Sequence, residues 1–159
     1  MRRGGQSGHG CVVSPGQILA YCAPVAVVAL VGLVDGRGWL LLQERDSLAP
    51  TNPDRWSLVG GLVDQGEQPA VGARRELQEE TGLVVDDLAF VAERTMACTL
   101  HGQDDYHLFA ATTVAVDSDV HCTEGRQIVF VDSARIATLD LTDTTRELYP
   151  LVLAAVRTP

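Results

Sequence analysis

No lysine occurs in this chain of 159 residues, so all 12 of its basic side chains are arginines. They are outnumbered by 21 aspartates and glutamates, which leaves a formal net charge of −9. A protein that holds long nucleic acid through its phosphates needs a basic surface. The composition therefore argues against a nucleic-acid polymer as partner. A small nucleotide stays possible, because a bound cation can reverse the charge of an acidic site locally.

Cysteines are also few, and the four of them show neither C-x-x-C spacing nor a zinc-ligand pattern. They are Cys11, Cys22, Cys98 and Cys122. Free thiols in a reducing compartment are the simplest interpretation, with a disulfide left open. We therefore expect a cytoplasmic protein.

Long apolar runs are scarce as well. The 17 mostly apolar residues 18–34 stand at the short limit for a membrane span, and Pro24 and Gly32 interrupt them. A hairpin of buried strands explains this segment better. Its first strand would be residues 25–34, its turn DGRG, and its second strand WLLLQER. We expect no membrane association, a disordered polar and glycine-rich segment over residues 1–17, and one domain over residues 18–159.

The most constrained stretch of the chain is GLVDQGEQPAVGARRELQEETGL, residues 61–83. Pro69 suits the first turn of a helix, and Gly82 suits the left-handed residue that follows a helix end. The pattern therefore predicts a helix over residues 69–81. An apolar stripe of this helix should face the core, and it consists of Ala70, Ala73 and Leu77.

Three carboxylates stand on another face of the same helix, because Glu76, Glu79 and Glu80 are spaced i, i+3 and i+4. They repel one another, and Arg75 can compensate only part of that repulsion. A cation would resolve it, and hard oxygen ligands select Mg²⁺ or Mn²⁺ over zinc. The alternative is a solvated acidic face on an ordinary amphipathic helix.

The whole segment has the spacing G-x5-E-x7-R-E-U-x-E-E-x-G-U, where U is apolar, and it resembles the Nudix box at every fixed position. The resemblance implies an α/β protein with the Nudix fold, an α/β/α sandwich with a mixed β-sheet. It also implies a Mg²⁺-dependent hydrolase that cuts the diphosphate linkage of a nucleoside triphosphate or another nucleoside diphosphate derivative.

Roles for individual residues follow from the same resemblance. Glu79 and Glu80 would bind the metal directly, with the backbone carbonyl of Gly60. Glu76 would bind or orient the attacking water, as a candidate general base, and Arg75 would hold Glu76 in place. Glu67 is expected to be structural.

Three further sites outside the box are candidates. Glu124 precedes the apolar run IVFVD, where MutT-type relatives carry a metal-binding glutamate; the alternative is an ordinary turn residue. Arg45 ends WLLLQER, where relatives often carry an arginine that reaches substrate phosphates; the alternative is a solvated arginine at a strand end. A polar stretch between two predicted strands offers another source of a base, namely His101, Asp104, Asp105 and His107.

The remaining elements are predicted coarsely. Residues 88–100 and 106–116 are expected to be strands joined by a polar loop, and IVFVD a short strand. A short helix should begin after a cap at Asp132 or Ser133. A final helix has a capping box in Thr144 and Glu147, and Pro150 indicates that it starts late or kinks.

Substrate and function class are narrowed by the resemblance but stay partly open. The extra motifs of coenzyme A and NADH relatives are absent, and Cys98 stands where ADP-ribose enzymes commonly carry proline. Elimination favours a nucleoside triphosphate or an oxidised one. Two alternatives are a non-catalytic nucleotide sensor and a prenyl-diphosphate isomerase, which would need a cysteine beside the metal. The oligomeric state is open, a homodimer included.

Overall fold

The structure is a computed structural model that describes residues 25–157. The predicted disorder of residues 1–17 lies outside the described residues, and so does the beginning of the predicted domain. A seven-stranded mixed sheet forms the centre, with helices on both of its faces. Its strands are β1 Ala26–Val34, β2 Leu40–Glu44, β3 Trp56–Ser57, β4 Val59–Leu62, β5 Ala89–Cys98, β6 Gly102–Thr112 and β7 Gln127–Val131. The helices are α1 Pro69–Thr81, α2 Ser133–Ile136 and α3 Asp143–Arg157.

Strand β1 is the axis of the sheet. It pairs in parallel with β6 along its whole length, and antiparallel with β4 and with the start of β2. Strands β3 and β7 pair with β2, and β5 pairs with β6. The predicted β1–β2 hairpin is confirmed, with Gly38 N–H donating to the Asp35 carbonyl at 2.9 Å in its turn. Because both faces of β1 are covered, its sequence is continuously apolar rather than alternating.

Two hydrophobic cores lie on opposite faces of the sheet. One contains Ala73 and Leu77 from α1, and the other contains Ile136 from α2 with Leu148 and Val152 from α3. Since helices cover both faces, the predicted α/β/α sandwich with a mixed sheet is confirmed.

Helix α1 spans the predicted residues. Pro69 occupies its first turn, and Gly82 ends it in the left-handed conformation, with φ of 73°. The Gly82 N–H donates to the Gln78 carbonyl at 2.8 Å. Ala73 and Leu77 are fully buried, as the apolar stripe predicts. The cap of α2 is Asp132, whose carboxylate accepts the Ala134 N–H at 3.0 Å.

Two predictions about elements are wrong. The polar loop expected before residue 106 is mostly strand, because β6 begins at Gly102 and its backbone finds partners along β1. Tertiary pairing therefore overrides the polar composition there. Helix α3 begins at Asp143 and runs through Pro150 to Arg157. Its cap is Thr142, whose Oγ1 accepts the Thr145 N–H at 3.2 Å, instead of Thr144.

The continuity of α3 across its proline has a physical reason in packing. Leu148 and Val152 flank Pro150 and are fully buried against the sheet. Their burial offsets the backbone hydrogen bond that proline removes, because most helix stability in proteins comes from tertiary packing. No helix of residues 25–157 combines the length and the apolar character that a membrane crossing requires.

Candidate active site

The acidic face of α1 presents three carboxylates with very different exposure. Glu79 is exposed, the Glu76 side chain retains 16% of its accessible surface, and Glu80 is only 6% exposed. Glu80 is therefore the most buried of the three carboxylates, although its neighbour Glu79 is exposed. The helix places the three groups together, as the i, i+3, i+4 spacing predicts.

Arg75 joins this face to the loop that precedes the helix. Its Nη1 donates to Glu76 Oε1 at 2.7 Å and to Glu79 Oε2 at 3.2 Å. Its Nε and Nη2 donate to the two carboxylate oxygens of Glu67 at 3.0 and 2.9 Å, and Nη2 also reaches the Leu62 carbonyl at 3.0 Å. Paired hydrogen bonds of this kind fix the orientation of the guanidinium group and also compensate the negative charge of Glu67. Arg75 thus holds Glu76 in a single position.

Glu67 is a structural carboxylate in this arrangement. Hydrogen bonds from Arg75 and from the Asp64 N–H lower its pKa to about 2. It therefore stays ionised at neutral pH, with its oxygens occupied by Arg75 and the loop backbone.

Strand β4 packs closely against both α1 and β1 because two of its residues lack a side chain. A β-carbon at Gly61 would lie 2.7 Å from Glu76 Oε2, so the glycine leaves room for that carboxylate against the strand. Gly60 has φ of 139°, and a β-carbon there would lie 2.1 Å from the Ala29 carbonyl oxygen. Residue 60 therefore requires glycine, and it is aligned by pairing with Leu30 of β1. At residue 61 a side chain would displace the Glu76 carboxylate from its position.

Glu124 reaches the site through a loop that is fastened to the end of α1. The His121 N–H donates to the Thr81 carbonyl at 2.9 Å. Thr123 donates from its N–H to the Glu80 carbonyl at 3.2 Å and from Oγ1 to the Glu79 carbonyl at 2.7 Å. The loop thereby satisfies carbonyls that a helix end leaves without partners. Sequence reasoning missed this docking, since it depends on contacts distant in the chain.

The electrostatics of the cluster are unfavourable without a cation. The pKa of Glu80 is raised to about 8, first by burial and then by the charges of Glu124 and Glu76, while a hydrogen bond from the Gly60 amide and the charge of Arg45 oppose the rise. Burial also raises the pKa of Glu76, although Arg75 opposes this shift. Within residues 25–157, Glu80 Oε2 is a buried oxygen without a hydrogen-bond partner. A buried, unpaired carboxylate oxygen among three other carboxylates fits a hard divalent cation.

Arg45 lies at the end of β2, beside the carboxylates. Its Nε donates to the Thr51 carbonyl at 3.0 Å, and its positive charge acts on Glu80 to lower that pKa. Arg45 and Glu124 line one groove together with Gln43, Asp46 and Gly125. The structure thus brings Arg45, Glu124 and the carboxylates of α1 to one region of the surface.

Two of the polar candidates of the β5–β6 hairpin, His101 and Asp104, lie on the other side of the sheet. Asp104 shares its strand face with Leu108, which belongs to the core on the α3 side, opposite α1. His101 is bonded to Asp104 at 2.9 Å, and His107 packs against Phe90. Asp105 accepts a hydrogen bond from Thr95 Oγ1 at 2.5 Å. Glu76 is the candidate base that its contact with Arg75 places within the carboxylate cluster of α1.

Comparisons with known proteins give a consistent result. The family model described as NUDIX domain matches residues 23–152. The dihydroneopterin triphosphate diphosphatase of Escherichia coli (strain K12) is 28% identical over 125 residues, which cover 76% of this chain and 80% of that protein. The RNA pyrophosphohydrolase of Caulobacter vibrioides is 48% identical over 54 residues, 34% of this chain and 29% of that protein.

Solved structures share the fold. The MutT protein from Methanosarcina mazei superposes with a TM-score of 0.73 at 22% identity, over 86% of this chain and 97% of that chain. A MutT NUDIX hydrolase from Burkholderia pseudomallei superposes with a TM-score of 0.66 at 20% identity, over 80% and 97% respectively. At these identities the likeness supports the fold alone.

Proposed function

Since this chain belongs to the NUDIX family, and its relatives include a diphosphatase and a pyrophosphohydrolase, we propose that it hydrolyses a pyrophosphate bond in a nucleoside triphosphate or another small nucleoside diphosphate derivative, with Mg²⁺ as cofactor. The observation that carries the proposal is the buried, unpartnered carboxylate oxygen of Glu80. It lies where the charges of Glu76 and Glu124 already raise its pKa. A solvated acidic helix face would place none of its carboxylates in such an environment.

The residues that would hold the cation all supply oxygen. They are the carbonyl of Gly60 and the carboxylates of Glu76, Glu79, Glu80 and Glu124. Oxygen donors suit Mg²⁺, and Mn²⁺ accepts the same set. When bound, the cation neutralises the negative charge that the substrate phosphates bring to an acidic site and activates water for attack.

The chain itself contributes positioning and proton transfer. Arg75 fixes one oxygen of Glu76 at 2.7 Å, and burial raises the pKa of Glu76, so this carboxylate is a stronger base than an exposed glutamate. Glu76 accepts a proton from the attacking water while the water oxygen forms a bond to phosphorus. The bridging P–O bond then breaks, and its electron pair leaves with the departing phosphate or pyrophosphate. Arg45 pairs with a phosphate of the substrate.

Support for a small substrate comes from charge and from the comparisons. A net charge of −9 disfavours a grip on a long polyanion. The relative matched over most of the chain is named for a triphosphate of a small molecule, whereas the RNA pyrophosphohydrolase match covers 34% of this chain.

Cys98 and Cys122 are free thiols, which supports the proposed cytoplasmic location.

Product analysis by ion-pair chromatography tests the proposal. The full-length protein with Mg²⁺ is incubated with canonical and oxidised nucleoside triphosphates, dihydroneopterin triphosphate, ADP-ribose, NADH, dinucleoside polyphosphates and 5′-triphosphorylated RNA. We expect turnover of a small triphosphate, and a decrease of about 100-fold or more in Glu79→Gln. Glu147→Gln, an exposed glutamate on α3, is the matched control and should keep full activity.

The outcomes separate the candidate functions. A monophosphate with pyrophosphate, or a diphosphate with phosphate, identifies the bond that is cut. Turnover of triphosphorylated RNA alone would contradict the small-substrate proposal. No turnover on any substrate, with tight nucleotide binding retained, would favour a sensor.

A further inference from the structure

A second cluster of metal-ligating side chains lies at the tip of the β5–β6 hairpin. Cys98 Sγ lies 3.8 Å from His101 Nδ1, and His101 Nδ1 lies 2.9 Å from Asp104 Oδ1. All three ligand atoms lie within 4.8 Å of one another. Asp104 is only 3% exposed, and the other two side chains are half-buried. A thiol, an imidazole and a buried carboxylate therefore converge on one point.

The hairpin register brings these residues together. Cys98 pairs with Gly102, and Met96 pairs with Asp104, so Cys98 and Asp104 are diagonal neighbours on one face of the two strands. The turn after Cys98 folds His101 over that face. The Ala26 N–H of β1 donates to Asp104 Oδ1 at 3.3 Å, which anchors the carboxylate to the centre of the sheet.

This cluster is separate from the acidic face of α1. Asp104, Tyr106 and Leu108 alternate along β6 on the side of the sheet that α3 covers. Tyr106 hydrogen-bonds Thr144 in the first turn of α3. The glutamates of α1 lie on the opposite side, so a ligand at the hairpin tip needs no contact with them.

The described hydrogen bonds satisfy His101 and Asp104, but they leave the Cys98 thiol with only a long contact, 3.8 Å to His101 Nδ1. The thiol and the carboxylate oxygen both approach the same imidazole nitrogen, which carries at most one proton. That geometry also excludes a relay in which one nitrogen serves the carboxylate and the other activates the thiol. A cation between the three atoms satisfies all of them at once.

We infer that Cys98 Sγ, His101 Nδ1 and a carboxylate oxygen of Asp104 form a Zn²⁺ site. Zinc prefers sulfur and imidazole nitrogen, unlike the oxygen-selecting cation of the α1 site. Tetrahedral zinc places its sulfur and nitrogen ligands about 3.5 Å apart and its nitrogen and oxygen ligands about 3.3 Å apart. The observed 3.8 and 2.9 Å differ from these separations by only a few tenths of an ångström.

Charge and coordination number also agree with zinc. A thiolate and a carboxylate together neutralise the two charges of Zn²⁺, with the imidazole neutral. The fourth tetrahedral position is left for water, as in zinc sites with three protein ligands. The bound ion would tie the hairpin tip, through Asp104, to the beginning of β1.

Cobalt substitution in the full-length protein tests the site. Co²⁺ is added to metal-free protein, and the thiolate-to-metal charge-transfer band in the near ultraviolet is followed, with Zn²⁺ added to displace it. We expect saturation at about one equivalent and complete displacement by zinc. Cys98→Ser should abolish the band, and His101→Ala should weaken Zn²⁺ binding by about 10-fold or more. His101 lies at a half-buried turn, so this variant tests the ligand without emptying the core.

Two control variants make the result specific. Cys122→Ser removes the other described thiol, which is exposed in the loop beside Glu124, and should keep the band. Glu80→Gln removes a proposed ligand of the α1 site and should keep it as well. A band that persists in Cys98→Ser, is lost in either control, or never forms in the wild type would overturn the inference.

Discussion

The carboxylate of Glu80 is almost fully withdrawn from water, and its Oε2 is without a hydrogen-bond partner within the described part of the chain. A buried charge without compensation costs free energy, so the metal-free protein holds this group protonated, with a pKa near 8. The sequence predicts which glutamates share the face of α1. It does not predict which of them is buried, because that depends on strand β4 and on the loop that carries Glu124.

Replacing Glu80 by glutamine should therefore stabilise the metal-free protein and impair activity. At pH 7 in EDTA we expect the free energy of unfolding to rise by roughly 1–3 kcal/mol. Glu80 must take up a proton when the metal-free protein folds, and this costs free energy at pH 7, whereas glutamine is already neutral. Urea unfolding monitored by tryptophan fluorescence measures this. Glu147→Gln should change stability by less than about 0.5 kcal/mol. A Glu80→Gln variant that is less stable than the wild type would show that the buried carboxylate has a favourable partner.

At the scale of elements, the site is a junction of α1, β4 and the loop before β7. The limits of α1 could be predicted because Pro69 and Gly82 act locally on the backbone. The start of β6 and the cap of α3 could not, since they depend on pairing with β1 and on the packing of Leu148 and Val152. The docking of Thr123 onto α1 likewise has no local signature.

Strand β4 can pair closely with β1 only with glycine at residue 60. Gly60→Ala should lower the free energy of unfolding by about 3 kcal/mol or more, because φ is 139° and the new β-carbon would lie 2.1 Å from the Ala29 carbonyl oxygen. Gly36→Ala is the matched control, since a β-carbon at that turn position meets nothing within 4 Å. Chemical denaturation of both variants measures the difference. Equal effects would contradict the described approach of β4 to β1.

The molecule as a whole combines a strongly acidic surface with two carboxylates whose pKa values move in opposite directions. For Glu80, the pKa is about 8 in the folded protein and 4.5 when unfolded, so the folded state binds more protons between these values. Stability of the metal-free protein therefore falls as pH rises from about 4.5 to about 8. For Glu67, the folded pKa is about 2, so its contribution is present above 4.5 and is lost as pH falls towards 2.

The metal-free protein should accordingly be most stable in mildly acidic solution. Thermal unfolding in EDTA from pH 5 to pH 8.5 should show a falling melting temperature, and Glu80→Gln should flatten this slope. Added Mg²⁺ should raise the melting temperature most at pH 8. At lower pH the ion must displace a proton from Glu80 in order to bind. A melting temperature that rises with pH in EDTA would contradict the described burial of Glu80.

The dependence of the hydrolysis rate on Mg²⁺ concentration tests the central claim most directly. Wild type, Glu79→Gln, Glu80→Gln and Glu147→Gln would be compared on the best small triphosphate, from EDTA to saturating Mg²⁺. We predict no turnover in EDTA, saturation in wild type and in Glu147→Gln, and rates lower by about 100-fold or more in the other two variants. Turnover in EDTA, or wild-type rates in Glu80→Gln, would contradict a cation site built on the carboxylates of α1.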